Sequence, residues 1–272
     1  MMRLAFHASV FVFLTLLTQI GGLAWVGTGV IARRLPGQRL VMLTAFVAIY
    51  AGLSLAAVSI APVFGRVALP CFASGQSQLA MQSPLYCALN RHYVSKPMYQ
   101  AANNLAADID RRFPGTLTQA LDAGFPFLDG FPLLPHLSHN DGNKLDIAFY
   151  YGDPSTGKYI RGRTRSPIGY WGFERPEPDA DLPCAGRNDI LTGRWDMGWF
   201  QIFNRVVVLD RPRTRAALEW LTAQDEGRNA GVSKVFIEPH LASSLGVEGD
   251  VLRFQGCRAA RHDDHIHFQV GG

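Results

Sequence analysis

Two stretches of this chain carry no formally charged side chain, Leu4 to Ala32 and Leu40 to Gly65. Each exceeds the roughly 20 residues an α-helix needs to cross a hydrocarbon core of about 30 Å. The sequence therefore predicts two transmembrane helices, a hairpin anchor over residues 1–65. A cleaved secretory signal is the competing reading of the first stretch, but the apolar part of such a signal runs to only ~7–15 residues, and here a second full span follows. A lipoprotein acceptor at Cys71 is disfavoured by Pro70 beside it. The connector Arg33-Arg34-Leu35-Pro36-Gly37-Gln38-Arg39 is Arg-rich, against Arg3 on one flank and Arg66 on the other. Short loops rich in Lys and Arg stay cytoplasmic, so both ends of the hairpin are expected outside, with residues 66–272 at the extracytoplasmic face.

Charge and cysteine usage agree with that division. Residues 1–65 hold no Asp, Glu or Lys; their only charges are Arg3, Arg33, Arg34 and Arg39. All 22 acidic residues and the rest of the 26 basic ones lie beyond, so the outer part is neutral in sum. The sequence pI of about 9.0 originates in the anchor and gives no support to a nucleic-acid partner, which needs a basic domain. Cys71, Cys87, Cys184 and Cys257 all follow the second stretch. An even number on one side suits an oxidising compartment and two disulfides. Three pairings are open, with Cys71–Cys87 and Cys184–Cys257 preferred. No CxxC occurs, which argues against a thiolate metal site.

Residues 66–95 read as a linker stapled by cysteines. From Lys96 to Phe113 the apolar residues Met98, Ala101, Ala102, Leu105, Ala106 and Ile109 follow a helical period, ended by Pro114-Gly115. Strands are expected at Thr116–Ala123, Leu145–Tyr151, Arg205–Leu209, Val235–Ile237 and Ile266–Val270, and a helix at Thr214–Gln224. Gly152 to Ala185 is a long loop rich in Gly, Pro and charge, a kind that often carries binding function. Strands mixed with helices in this order indicate an α+β domain with a small, mostly antiparallel sheet.

Three of the eight His lie in one run, His262-Asp263-Asp264-His265-Ile266-His267. In a strand, His265, His267 and Gln269 share one face and Ile266, Phe268 and Val270 the other, so two imidazoles point to one place while the apolar face packs. A second cluster runs from His136 through Ser138-His139-Asn140-Asp141-Gly142 to Asp146. Asn140 to Asn143 is strong turn chemistry, able to return His139 and Asp146 to the same site. Neutral imidazole and carboxylate suit zinc, and a catalytic zinc site takes three protein ligands and keeps one position open. His139, Asp146 and one His of the C-terminal pair make such a set.

These two segments resemble the signature motifs of the LAS metallopeptidases, the group of lysostaphin-type enzymes, D-Ala-D-Ala peptidases and penicillin-insensitive murein endopeptidases. His-Asp-Asp-His-x-His is most similar to the murein endopeptidase branch. D-Ala-D-Ala peptidases tend to place a Glu base three residues before the last His, where this chain has Asp264. The resemblance covers roughly residues 96–272 and has no counterpart for the loop at 152–185. It implies a Hedgehog/D-Ala-D-Ala-peptidase-like domain over 96–272, Zn2+ as cofactor, His139, Asp146 and His267 as metal ligands, and His265, His262 and His136 as catalytic histidines. It further implies peptidoglycan peptides as substrate and a periplasmic or extracytoplasmic site at the bacterial inner membrane. Asp263 and Asp264 are candidates to orient ring nitrogens, or to cap the turn. Tyr170, Trp171, Trp195, Trp199 and Phe200, with Arg161, Arg163 and Arg165, are candidates for peptide recognition. A non-catalytic, zinc-stabilised wall-binding or regulatory domain is the alternative, though such a domain has no need of His265.

Overall fold

The computed structural model describes residues 2–34, 39–187 and 193–271. The middle of the Arg-rich connector (35–38) and the short segment 188–192 lie outside them. The chain has three apolar N-terminal helices followed by a mixed α/β domain with flanking helices.

The first apolar stretch is not one helix. It is α1 (Met2–Thr18, 17 residues) and α2 (Gly21–Arg34, 14 residues), about 26 and 21 Å long at 1.5 Å per residue. Gln19 between them has φ +66°, and the Thr18 hydroxyl accepts a hydrogen bond from Gly21 N–H at 2.8 Å, capping the new helix. Gly21 and Gly22 permit the reversal. A Cβ on Gly22 would stand 2.1 Å from the Thr15 hydroxyl and 2.8 Å from the Phe11 ring. Helix α2 thus folds back along α1, with the His7 and Trp25 rings 5.6 Å apart. The expectation of two full spans is corrected on this point: among the described residues one helix, Arg39–Phe64, is long and apolar enough to cross a membrane. Its regular part is α3 (Arg39–Ile60, 22 residues), about 33 Å long. The sequence signal that was missed is a polar Gln followed by two glycines inside an apolar run.

The domain after α3 follows as β1 (Arg66–Ala68), β2 (Leu79–Met81), α4 (Pro84–Ala88), β3 (Tyr93–Ser95), α5 (Lys96–Arg112), β4 (Thr118–Ala120), β5 (Lys144–Ala148), β6 (Tyr151–Gly152), β7 (Val208–Leu209), α6 (Arg211–Thr222), α7 (Glu226–Asn229), β8 (Val232–Phe236), α8 (Pro239–Leu245), β9 (Leu252–Arg253) and β10 (His265–Val270). Six strands form one sheet in the order β2-β4-β5-β10-β8-β9. Its centre is antiparallel, and both outermost pairs, β2 with β4 and β8 with β9, are parallel. The segment 66–95 is therefore more than a stapled linker, since it supplies an edge strand of the main sheet.

Helix α5 begins at Ser95, whose side chain accepts from Met98 N–H, with Pro97 in the first turn. Both features are favoured at helix starts. Its apolar stripe, Met98, Ala101, Ala102, Leu105, Ala106 and Ile109, is buried and joins Leu145, Ile147, Ile266 and Phe268 in one core. Helix α6 is capped by Asp210, which accepts from Arg213 N–H at 3.1 Å, and has Pro212 in its first turn. Helical packing covers one face of the β5–β10 pair and leaves the other for polar residues.

Both preferred disulfides are present, Cys71–Cys87 and Cys184–Cys257. The second closes a loop with a sequence separation of 73, a constraint on the unfolded chain worth about 4 kcal/mol in the loop-entropy picture. A Cys184→Ala/Cys257→Ala variant of the full chain is expected to lose stability on that order, read as a lowered urea midpoint. A Cys71→Ala/Cys87→Ala variant, with its sequence separation of 16, should lose less, about 3 kcal/mol.

His92 supplies a pH prediction. Burial pushes its imidazole down to about 4, so it stays neutral in the folded protein while the unfolded chain protonates near 6.5. The unfolded state then binds more protons between those values, and stability falls as pH drops through that window, by at most about 3 kcal/mol from this group. Replacing His92 with Gln should flatten the slope of stability against pH between about 6.5 and 4, as measured by denaturant titration at each pH.

Candidate metal centre

The antiparallel register of β5 and β10 builds the centre. Asp146 lies directly opposite His267, and His265 opposite Ala148. Side chains directly opposite on one face stand about 4.5–5.5 Å apart at Cβ, so a carboxylate and an imidazole are brought to contact by the sheet itself. His267 Nδ1 is 2.8 Å from Asp146 Oδ1. The third group comes from the loop before β5. Asn143 N–H donates to the Asp141 side chain at 2.9 Å, and Gly142 takes φ +72°. A Cβ there would meet the Arg66 guanidinium at 2.8 Å, so the turn needs a glycine both for its backbone and for room. His139, just before the turn, has Nδ1 3.0 Å from Ala123 O. That carbonyl accepts the ring N–H and leaves Nε2 as the lone-pair nitrogen, a common arrangement behind metal-binding histidines.

His139 Nε2 lies 3.1 Å from His267 Nδ1 and 3.3 Å from Asp146 Oδ1. With the 2.8 Å contact, these form one face of a tetrahedron. Ligands at about 2.0–2.1 Å from a tetrahedral zinc are about 3.3 Å from one another, so the three atoms fit a single such ion. All three residues are buried. The residues expected to hold a metal are thus brought together. A second grouping, Cys71, Cys87 and His92, is different, because its sulfurs are joined in a disulfide.

The other predicted histidines surround this triangle. His265 Nε2 is 3.6 Å from Asp146 Oδ2, and its Nδ1 is held by the Asp264 carboxylate. The His262 ring is 4.8 Å from that of His265 and 5.6 Å from that of His267, and Ala260 O accepts from its Nδ1 at 3.0 Å. His136 Nδ1 is 2.9 Å from Asp122 Oδ2, with its ring 5.6 Å from that of His139. Five imidazoles are therefore gathered around one carboxylate.

The electrostatics follow from that crowding. Burial alone would raise the Asp146 carboxyl, but His139 and His265 outweigh it and hold it well below the usual range. Burial opposes protonation of His265, yet Asp146 and Asp264 overcome it and push the imidazole up to about 9. His139 is raised for the same reason, chiefly by Asp146 against burial. His267 is lowered to about 4 by burial, and His262 is driven well down by burial and by its neighbours His265 and His267.

Three participants had not been assigned these roles from the sequence. The Tyr170 hydroxyl donates to Asp146 Oδ2 at 2.6 Å and accepts from Asp122 N–H at 3.1 Å. Asp122 and Arg91 form a buried ion pair, with Nε to Oδ1 at 2.8 Å, and this fixes the carboxylate behind His136. The sequence offers Tyr170 as a candidate for peptide recognition, and nothing in the local pattern of Asp122 or Arg91 links them to residues more than ten positions away. Asp264 orients His265 and also accepts from Trp171 N–H, whereas Asp263 pairs with Arg261.

A cavity of about 870 Å³ opens over the triangle, with Tyr170, Trp171 and Trp195 among its walls. Trp199 and Phe200 are not part of its lining. Arg161 is tied to the backbone carbonyls of Ser74, Ser77 and Gly115, and Arg165 to Glu174, so both serve structure rather than an open binding position. His240 is buried beside Glu238, away from the triangle.

No protein-family model matches the chain, and no curated protein matches it in sequence.

The geometry predicts one tightly held ion per chain. Zinc content by elemental mass spectrometry after dialysis should approach one equivalent for the native protein and vanish for His139→Ala or His267→Ala. Tyr170→Phe, which removes one hydrogen bond from the candidate ligand Asp146, should weaken zinc binding by roughly 10–100-fold in a chelator competition.

Proposed function

We propose that this chain is a membrane-anchored, zinc-dependent peptidase acting on peptidoglycan peptides outside the cytoplasm. The observation that carries the reading is the convergence of His139, Asp146 and His267 at the spacing of one tetrahedral ion, inside a cavity ringed by further histidines. The choice of substrate rests on the resemblance of the two motifs to the murein endopeptidase branch. One apolar helix of spanning length and two disulfides support an extracytoplasmic site.

Zinc bound to the three ligands supplies Lewis acidity, which polarises a scissile carbonyl and acidifies water at neutral pH. The remaining work falls to the chain's own side chains. His265, with Nε2 3.6 Å from Asp146 Oδ2, stands beside the three ligands, where its ring would stabilise a developing oxyanion. Asp264 accepts from its Nδ1 and fixes the ring. His136 gives its Nδ1 hydrogen to Asp122, which leaves Nε2 as a lone pair able to take the proton of the attacking water. The same nitrogen returns that proton to the leaving amine as the C–N bond breaks, so water is added across the amide. His262 gives its Nδ1 hydrogen to Ala260 O, which leaves Nε2 able to accept from a substrate N–H. Positioned acid–base groups of this kind contribute about 10²–10⁴-fold.

Full-length protein in detergent, loaded with zinc, should release soluble muropeptides from isolated murein sacculi, followed by mass spectrometry. His265→Ala should slow release by about 10²-fold or more while keeping its zinc. Release at the native rate by that variant would overturn the role of His265. No release by native, zinc-loaded protein would leave a binding domain in place of an enzyme.

A further inference from the structure

The middle of α3 is bonded to the rim of the cavity. The Tyr50 hydroxyl donates to Ala88 O at 2.6 Å, and Asn90 Nδ2 donates to Tyr50 Oη at 2.8 Å and to Ser54 Oγ at 3.2 Å. The next residue, Arg91, donates to Leu134 O at 2.7 Å and holds Asp122, the partner of His136. A short relay of contacts therefore runs from the centre of the apolar helix to a histidine of the site. With the start of α3 at Arg39, Tyr50 and Ser54 stand about 17 and 23 Å along it, inside a hydrocarbon layer of about 30 Å. Their partners on the outer domain are drawn to the same depth.

Part of the rim is apolar, as this depth requires. Segments 83–90 and 130–138 contain no formally charged side chain. From them Leu85, Leu134 and Leu137 line the cavity mouth while remaining 50%, 51% and 56% exposed. Three half-exposed leucines around one opening form an apolar patch of the kind that marks a contact surface. The exposed side of α6, by contrast, carries Arg211, Arg215 and Glu219.

We propose that this rim is a lipid-contacting surface. Leu85, Leu134 and Leu137 sit among the acyl chains of the outer leaflet, and the cavity opens at the bilayer surface rather than at the end of a stalk. The inference rests on α3 crossing the membrane, as in the proposed function, and adds a second membrane contact made by the outer domain itself. It places the hydrolysed peptide against the membrane plane.

The test needs no turnover, so its outcome is independent of the peptidase reading. Full-length protein is reconstituted in phosphatidylcholine vesicles containing a phosphatidylcholine with a diazirine at the end of one acyl chain, irradiated, and digested for peptide mass spectrometry. Adducts are expected within 39–64 and also within 83–90 and 130–138. A Leu85→Asp/Leu137→Asp variant, altered at exposed positions the fold does not need, should lose the rim adducts and keep those on 39–64. Adducts on 39–64 with none on the rim would overturn the lipid contact and leave the anchor standing. Adducts on neither would remove both.

Discussion

The pairing register of β5 with β10 is the constraint on which the rest of this molecule depends. Leu145 and Ile147 face the core with Ile266 and Phe268, all fully buried, and that apolar match fixes which residues stand opposite one another. Asp146 and His267 then have to meet on the other face. A slip by one residue would turn the carboxylate into the apolar core and the leucine into the site. The same burial that stabilises the domain thus positions the donor atoms, without a separate device for each.

Asp146 is the point where fold and chemistry are joined. A buried carboxylate without partners is costly. This one receives the Tyr170 hydroxyl and lies within 4 Å of His136, His139, His265 and His267. Around it a second pair, Arg91 and Asp122, holds His136, and Asp264 holds His265. His136, His139, His262 and His265 each have Nδ1 held by a neighbouring oxygen, and His267 has Nδ1 on Asp146 and Nε2 3.0 Å from the Gln269 side chain, an arrangement suited to metal binding and proton handling.

Much of the site was legible because it is written in strand alternation and turn chemistry. His265 and His267 share a phase opposite Ile266 and Phe268, and Asn140–Asn143 reads as a reversal. Helix α5 and the central strands follow the same kind of periodic signal. What was not legible depends on distant contacts. Tyr170 lies in a loop without period, and Asp122 follows a short strand whose partner could not be inferred. The segment 66–95 looked like a linker because strands β1, β2 and β3 have three residues each, too short for alternation to show. In the first apolar stretch, length and absence of charge do not register the turn-forming Gln19, Gly21 and Gly22, which reverse the chain.

The bridge between Cys184 and Cys257 has a consequence for when the cavity can exist. Cys257 immediately precedes Arg258 to His262, which form part of the cavity wall, and Cys184 follows the loop that brings Tyr170 and Trp171 to the opposite side. The two halves of the enclosure are thus clasped by a bond that a reducing cytosol does not sustain. In a reducing compartment the polypeptide would lack this clasp, so the enclosure is completed only where its cysteines can oxidise.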